Sequence, residues 1–159
     1  MIGIIEATTA EDFAAGKVLI EDYADALGVD LCFQGFADEL VDLPGMYGPP
    51  GGCLLLARVD NKLAGCVAVR KQGGDVCEMK RLYVKPEFRG RSLGRYLAEA
   101  AIRKSRELGY KNMVLDTLPQ MIEAQTLYRS LGFEETGGYY QNPVPGVRYL
   151  ACRLTSDAQ

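Results

Sequence analysis

Two hydrophobic periodicities alternate along this chain, one of about 3.6 residues and one of two, and they divide it into helices and strands. Ile2 to Ala7 reads as a short first strand, and Thr8 with Glu11 has the spacing of a capping box. Phe13, Val18, Ile20, Tyr23, Ala24 and Leu27 then predict a helix that Gly28 ends. Phe33 to Leu43 predicts a second, shorter helix with Phe36, Leu40 and Leu43 along one side. Residues 44–52 are rich enough in proline and glycine to predict an irregular loop.

Three β-type runs follow: Cys53 to Val59, Leu63 to Arg70 and Val76 to Val84. The short turns between them, Asp60-Asn61-Lys62 and Gly73-Gly74-Asp75, predict antiparallel neighbours. Leu93, Leu97, Ala101, Lys104 and Leu108 share one face of a helix spanning about 92–108, which Gly109 ends. Asn112 to Asp116 returns as a strand, and strand–helix–strand at this spacing implies a right-handed parallel crossover. A helix over about 120–131, stopped by Gly132, and two closing strands, Phe133 to Tyr139 and Val147 to Leu154, complete the chain. The pattern predicts one α/β domain over residues 1–159, with a mixed, mostly antiparallel central sheet and helices on both faces.

One junction carries candidate chemistry. Arg89-Gly90-Arg91-Ser92-Leu93-Gly94-Arg95 brings three arginines and small residues to a helix N-terminus. The first N–H groups of a helix have no internal partners, and the helix dipole adds positive potential there. Such an end suits phosphate or pyrophosphate. A tight strand-to-helix turn that merely needs glycine would use the same residues.

Composition narrows the choice. A net charge of −3 argues against a general nucleic-acid binder and leaves the arginine cluster as a local patch, better matched to a small polyanion. No apolar run is long enough to cross a bilayer, and the start has no basic, signal-like region, so neither a membrane nor secretion is expected. The five cysteines are odd in number and widely spaced, which suits free thiols in a reducing, cytoplasmic setting. With no histidine in the chain, Ser–His and Cys–His catalysis are excluded and no metal is expected. Any catalysis falls to carboxylates, tyrosine, water or the positioning of a co-substrate.

The order of elements, the Arg89-x-x-Ser92-x-Gly94 loop after Leu82-Tyr83-Val84, and Leu127-Tyr128-Arg129-Ser130-Leu131-Gly132-Phe133 together resemble the GCN5-related N-acetyltransferases (GNAT). The resemblance implies acetyl transfer from acetyl-coenzyme A to a primary amine, on a sheet whose parallel strand pair splays apart. It puts the pyrophosphate on the N–H groups of residues 89–94, with Arg89, Arg91 and Arg95 neutralising charge. It runs the pantetheine arm between Leu82–Val84 and Val114–Asp116, with backbone of Leu82 and Val84 as amide and thioester partners and Tyr83 between them. It makes Tyr128 the proton donor to the departing thiolate. On the β run of Leu82 and Val84, Glu78 is the candidate base, directly or through a water, with Asp116 at the end of the next strand the second candidate. Even spacing would put Glu78 on the same face as Leu82 and Val84 unless a bulge intervenes. The acceptor pocket is expected from Phe33, Gln34, Tyr47, Tyr139, Tyr140 and Asn142. No dense acidic cluster announces a polyamine, and a small amine or a protein amine both fit. The closing strands suit a homodimer interface. Two positions depart from the family pattern: Ser92, where glycine is usual, and Met121, where asparagine is frequent. A helical backbone at Ser92 would keep the phosphate site, and a positive φ there would weaken it. These departures leave room for a second class, a non-catalytic acyl-coenzyme A-binding or sensing module.

Overall fold

The computed structural model describes residues 1–28, 30–31 and 35–154. Its strands are β1 (Ile2–Glu6), β2 (Cys53–Val59), β3 (Lys62–Gly73), β4 (Val76–Val84), β5 (Asn112–Thr117), β6 (Glu134–Glu135) and β7 (Arg148–Arg153). Its helices are α1 (Ala10–Leu27), α2 (Phe36–Val41), α3 (Leu43–Tyr47), α4 (Leu93–Glu107) and α5 (Ile122–Ser130). The seven strands form one sheet in the order β1-β2-β3-β4-β5-β7-β6, with β4–β5 its parallel pair.

Helices cover both faces, which explains why β2 is apolar from Cys53 to Ala57 rather than alternating. Leu55 packs toward α4 with Leu97, Ala101 and Met113, while Leu54 and Leu56 pack toward α1 with Leu19 and Ile20. Gly16 permits the close approach of α1, because a Cβ there would collide with Leu54 Cδ2. Gly28 ends α1 in the left-handed region at φ 67°, as its position predicts.

Three local expectations are corrected. The capping box forms one residue later, because the helix begins at Ala10. Thr9 Oγ1 accepts from Asp12 N–H at 3.1 Å, and Asp12 Oδ2 accepts from the Thr9 N–H at 3.2 Å. The second helix breaks at Asp42 (φ −138°), whose carboxylate accepts from Gly45 N–H and starts α3. Pro44 is tolerated there because the first helical turn has no acceptor for its missing N–H. The expected strand 133–139 shrinks to Glu134–Glu135, because the chain beyond it turns over the sheet and its tyrosines bond to carboxylates on β4 and β5.

Candidate active site

Strands β4 and β5 pair at Val76–Asn112, Cys77–Met113 and Glu78–Val114, and then part. Beyond that point each keeps its outer neighbour, β4 pairing with β3 through Val84 and β5 with β7 through Thr117. Their inner edges therefore face one another across a gap. The register of β3–β4 slips between Cys66 and Ala68, opposite Arg81, whose φ is 61°. A side chain in that region is costly, and Arg81 is held there by a buried, two-pronged ion pair. Its Nε donates to Glu39 Oε2 at 2.9 Å and its Nη2 to Oε1 at 2.7 Å, with Arg81 4% and Glu39 1% exposed.

The bulge corrects the facing of β4. Glu78, Lys80 and Tyr83 lie opposite Arg70, Ala68 and Cys66, on the α1 side, whereas Leu82 and Val84 pack on the α4 side. Glu78 and the Leu82–Val84 segment thus occupy opposite faces. Glu78 is 1% exposed, and its carboxylate accepts from Arg70 Nε at 2.9 Å and from the Tyr139 hydroxyl at 2.6 Å.

The gap opens into a cleft with about 600 Å³ of empty space, part of it open to solvent. Met79 to Leu82 wall one side, Asp116 to Leu118 the other, and Tyr23, Leu27, Met121, Tyr128 and Asn142 contribute from the elements around it. An adjoining groove shares Leu82 and Met121 and continues past Val84 and Arg89. Tyr128 reaches the cleft from the α4-side core, where it packs on Phe133 with ring centres 5.7 Å apart. No hydrogen bond reaches its hydroxyl among the described residues. Burial first, then Tyr23 and Asp116, raises its pKa, so the phenol stays protonated near neutral pH.

At the outer end, α4 begins at Leu93, and Tyr96 N–H is the first to find a backbone acceptor within it, the Ser92 carbonyl at 3.1 Å. The N–H groups of Leu93, Gly94 and Arg95 precede it and have no acceptor within the helix. Gly90 has φ 85° and Ser92 φ 62°, so Ser92 takes the left-handed alternative rather than the helical one, and its hydroxyl makes no cap bond. Arg89 Nε donates to the Val84 carbonyl at 3.0 Å, and Arg91 lies 5.8 Å from the Phe88 ring centre. Arg95 is turned toward α5, donating to Ser130 Oγ at 2.6 Å and facing Glu99 at 3.8 Å.

Over the inner end, the chain after β6 is fastened to both strands. Besides Tyr139 on Glu78, the Tyr140 hydroxyl donates to Asp116 Oδ2, and Asn142 Nδ2 donates to the same oxygen at 2.9 Å. Tyr139 packs against Tyr140 and Tyr149, ring centres 5.3 and 5.5 Å apart. Of the residues expected in the acceptor pocket, Asn142 lines the cleft, and Tyr139 and Tyr140 brace it from behind. Tyr47 does not: it is fully buried in the α1-side core with Leu43 and Leu54, because α3 forms where a loop was expected. Phe33 and Gln34 lie outside the described residues.

Sequence reasoning missed Tyr23, Lys80 and the Glu39–Arg81 pair. The available signal was Lys80-Arg81 inside a strand with apolar runs on both sides. Lys80 is 6% exposed and lines the cleft. Burial, followed by neighbouring Arg81, lowers its pKa to about 8. Among the described residues no group of three or more Cys, Asp or Glu side chains is placed to hold a metal, and no helix is long and apolar enough to cross a membrane.

Residues 18–133 match the Acetyltransferase (GNAT) family, and the chain belongs to that family. It is similar to an uncharacterized N-acetyltransferase of Schizosaccharomyces pombe, 45% identical across 97% of this chain and 96% of the relative. Its fold matches a GNAT-family acetyltransferase of Staphylococcus aureus with TM-score 0.79 at 20% identity, covering 98% of this chain and all of that one. It also matches the PaiA N-acetyltransferase of Thermoplasma acidophilum, solved in complex with coenzyme A, with TM-score 0.71 at 17% identity over 96% and 99% of the two chains. The protein is an acyl-coenzyme A-dependent acetyltransferase.

Proposed function

We propose that the acceptor is a primary amine that attacks the thioester directly, with both substrates bound at the parting of β4 and β5. The observation that carries this is the two-sided cleft. Leu82 and Tyr128 approach it from the α4 side, with Val84 in the adjoining groove, while Lys80 and Asp116 approach from the α1 side. A thioester arm laid along the first set leaves the second for the amine. Acetyl-coenzyme A supplies the activated acyl group; the protein supplies position, charge and a proton path.

The N–H groups of Leu93, Gly94 and Arg95, with Arg89 and Arg91, receive the pyrophosphate. Arg95 contributes less through its side chain, since Ser130 and Glu99 hold it. The unpaired inner edge of β4 at Leu82 and Val84 takes the arm's amides as a sheet takes a strand, and its N–H groups meet negative charge developing on the thioester oxygen. Tyr128 donates to the departing sulfur. Asp116 orients the incoming ammonium and accepts its proton, directly or through water, because it lines the cleft and its Oδ1 receives no hydrogen bond among the described residues. Glu78 lies behind that wall and acts by fixing Tyr139.

Titration calorimetry with acetyl-coenzyme A, paired with an amine-dependent thiol-release assay, tests the reading. Binding with thiol release supports it. Binding with no release from any amine favours the non-catalytic module that the Ser92 and Met121 departures suggest.

A further inference from the structure

We propose that Met79 is the floor of the acyl end of the cleft and sets the length of the acyl chain, admitting acetyl and turning away longer groups. The proposal rests on the acetyl-transfer reading of the same site and deepens it. Strands β4 and β5 are still paired at Glu78–Val114, and Met79 and Leu115 are the first residues beyond that last pair. Met79 is therefore the first β4 side chain to line the cleft. It is 3% exposed and belongs to the α4-side core, together with Leu115 and with Val69, its partner across β3. Leu82 and Tyr128 pack on that same side.

An arm whose pyrophosphate sits at the start of α4 enters past Arg89 and Val84, follows the adjoining groove to Leu82 and brings its sulfur to Tyr128. Carbon atoms beyond the thioester carbonyl then continue along β4 toward Met79, where the sheet closes again. A methionine adapts where it has room to move. Here the neighbours on both sides, Val69 and Leu115, are buried, and Cys77 fills the same face behind the last strand pair. A methyl group stops short of this floor. Each further methylene has to displace packed atoms, and interiors at crystal-like density yield only at a cost. The opposite face offers no way round, since Glu78 there is buried and held by Arg70 and Tyr139.

The test is titration calorimetry with coenzyme A and with its acetyl, propionyl and butyryl thioesters, which needs no acceptor. The parent is expected to bind the acetyl thioester as tightly as coenzyme A and to weaken by about tenfold or more for each added methylene. Met79→Ala opens space at the floor and is expected to recover about tenfold or more of the lost butyryl affinity, with coenzyme A held as by the parent. Met79→Val makes a smaller opening at less risk to the core and should recover the propionyl thioester. Met79→Leu, which keeps the volume, should keep the parent's preference. Equal affinity of the parent for the three thioesters overturns the proposal and leaves the cofactor site standing. So does a chain-length penalty that survives in the truncated variants, or a loss in them shared equally by coenzyme A. No uptake of coenzyme A by the parent removes the acetyl-transfer reading and the proposal together.

Discussion

Ser92→Gly should make the protein more stable and tighten its hold on acetyl-coenzyme A. Ser92 sits at φ 62°, ψ 20°, immediately before α4, and its hydroxyl caps nothing, so no hydrogen bond is lost with the side chain. Holding an L-residue in that region costs about 1–2 kcal/mol. Glycine removes this cost and adds about 0.5–1 kcal/mol of unfolded-state freedom to be lost on folding. The net gain is then about 0.5–1 kcal/mol, or roughly 1–4 °C in Tm for a chain of this size. The same substitution lets the N–H groups of residues 93–95 settle around a pyrophosphate without dragging a strained side chain. Thermal unfolding followed by circular dichroism and calorimetric titration with acetyl-coenzyme A read the two effects. Gly90→Ala is the opposite control: φ is 85° and a Cβ would meet no atom within 4 Å, so any loss reports strain alone. A Tm for Ser92→Gly at or below the parent's would refute the strain argument.

Glu39→Leu leaves Arg81 charged and buried without its carboxylate, and is expected to cost about 3–5 kcal/mol in urea unfolding; a cost under about 1 kcal/mol would mean the pair is not closed in solution. Tyr128→Phe should keep acetyl-coenzyme A affinity while kcat falls about 10²-fold, the lower end for a proton donor, and an unchanged kcat across a pH series would remove the donor role. Asp116→Asn should lower kcat by about 10²-fold or more while Glu78→Gln leaves most of it; the reverse result would return the base to Glu78. Lys80 gives a stability signature against pH. Its folded pKa of about 8 lies below the ordinary 10.5, so between these values the unfolded chain binds the extra proton and parent stability rises with pH. Below pH 8 the cost of burying the charge is fully present. Lys80→Met should therefore be the more stable protein at pH 7, with its advantage shrinking from pH 8 toward 10, and a constant difference would argue against a buried ammonium.

What the sequence determined on its own was local and periodic. Helix faces such as Leu93, Leu97 and Ala101, stops at Gly28, Gly109 and Gly132, and hairpin spacing in β2–β4 follow from backbone preferences and the burial of one side or both. Those preferences act over a few residues, so they are written in a few residues. The helix start after Arg89 was legible for the same reason, since its N–H groups exist wherever α4 begins.

Tertiary structure decided what depends on partners far apart in the chain. Even spacing along β4 placed Glu78 beside Leu82 and Val84, but a bulge at Arg81 reversed the facing, and what holds that bulge is Glu39, 42 positions away. Tyr139 left the expected strand, its hydroxyl bonded to Glu78 on β4, while Tyr140 and Asn142 in the following loop bond Asp116 on β5. Lys80 became a cleft residue only once β5 diverged from β4 beyond Glu78–Val114. Charge burial and strand divergence are settled by which groups meet across the folded chain, and no periodicity encodes that meeting.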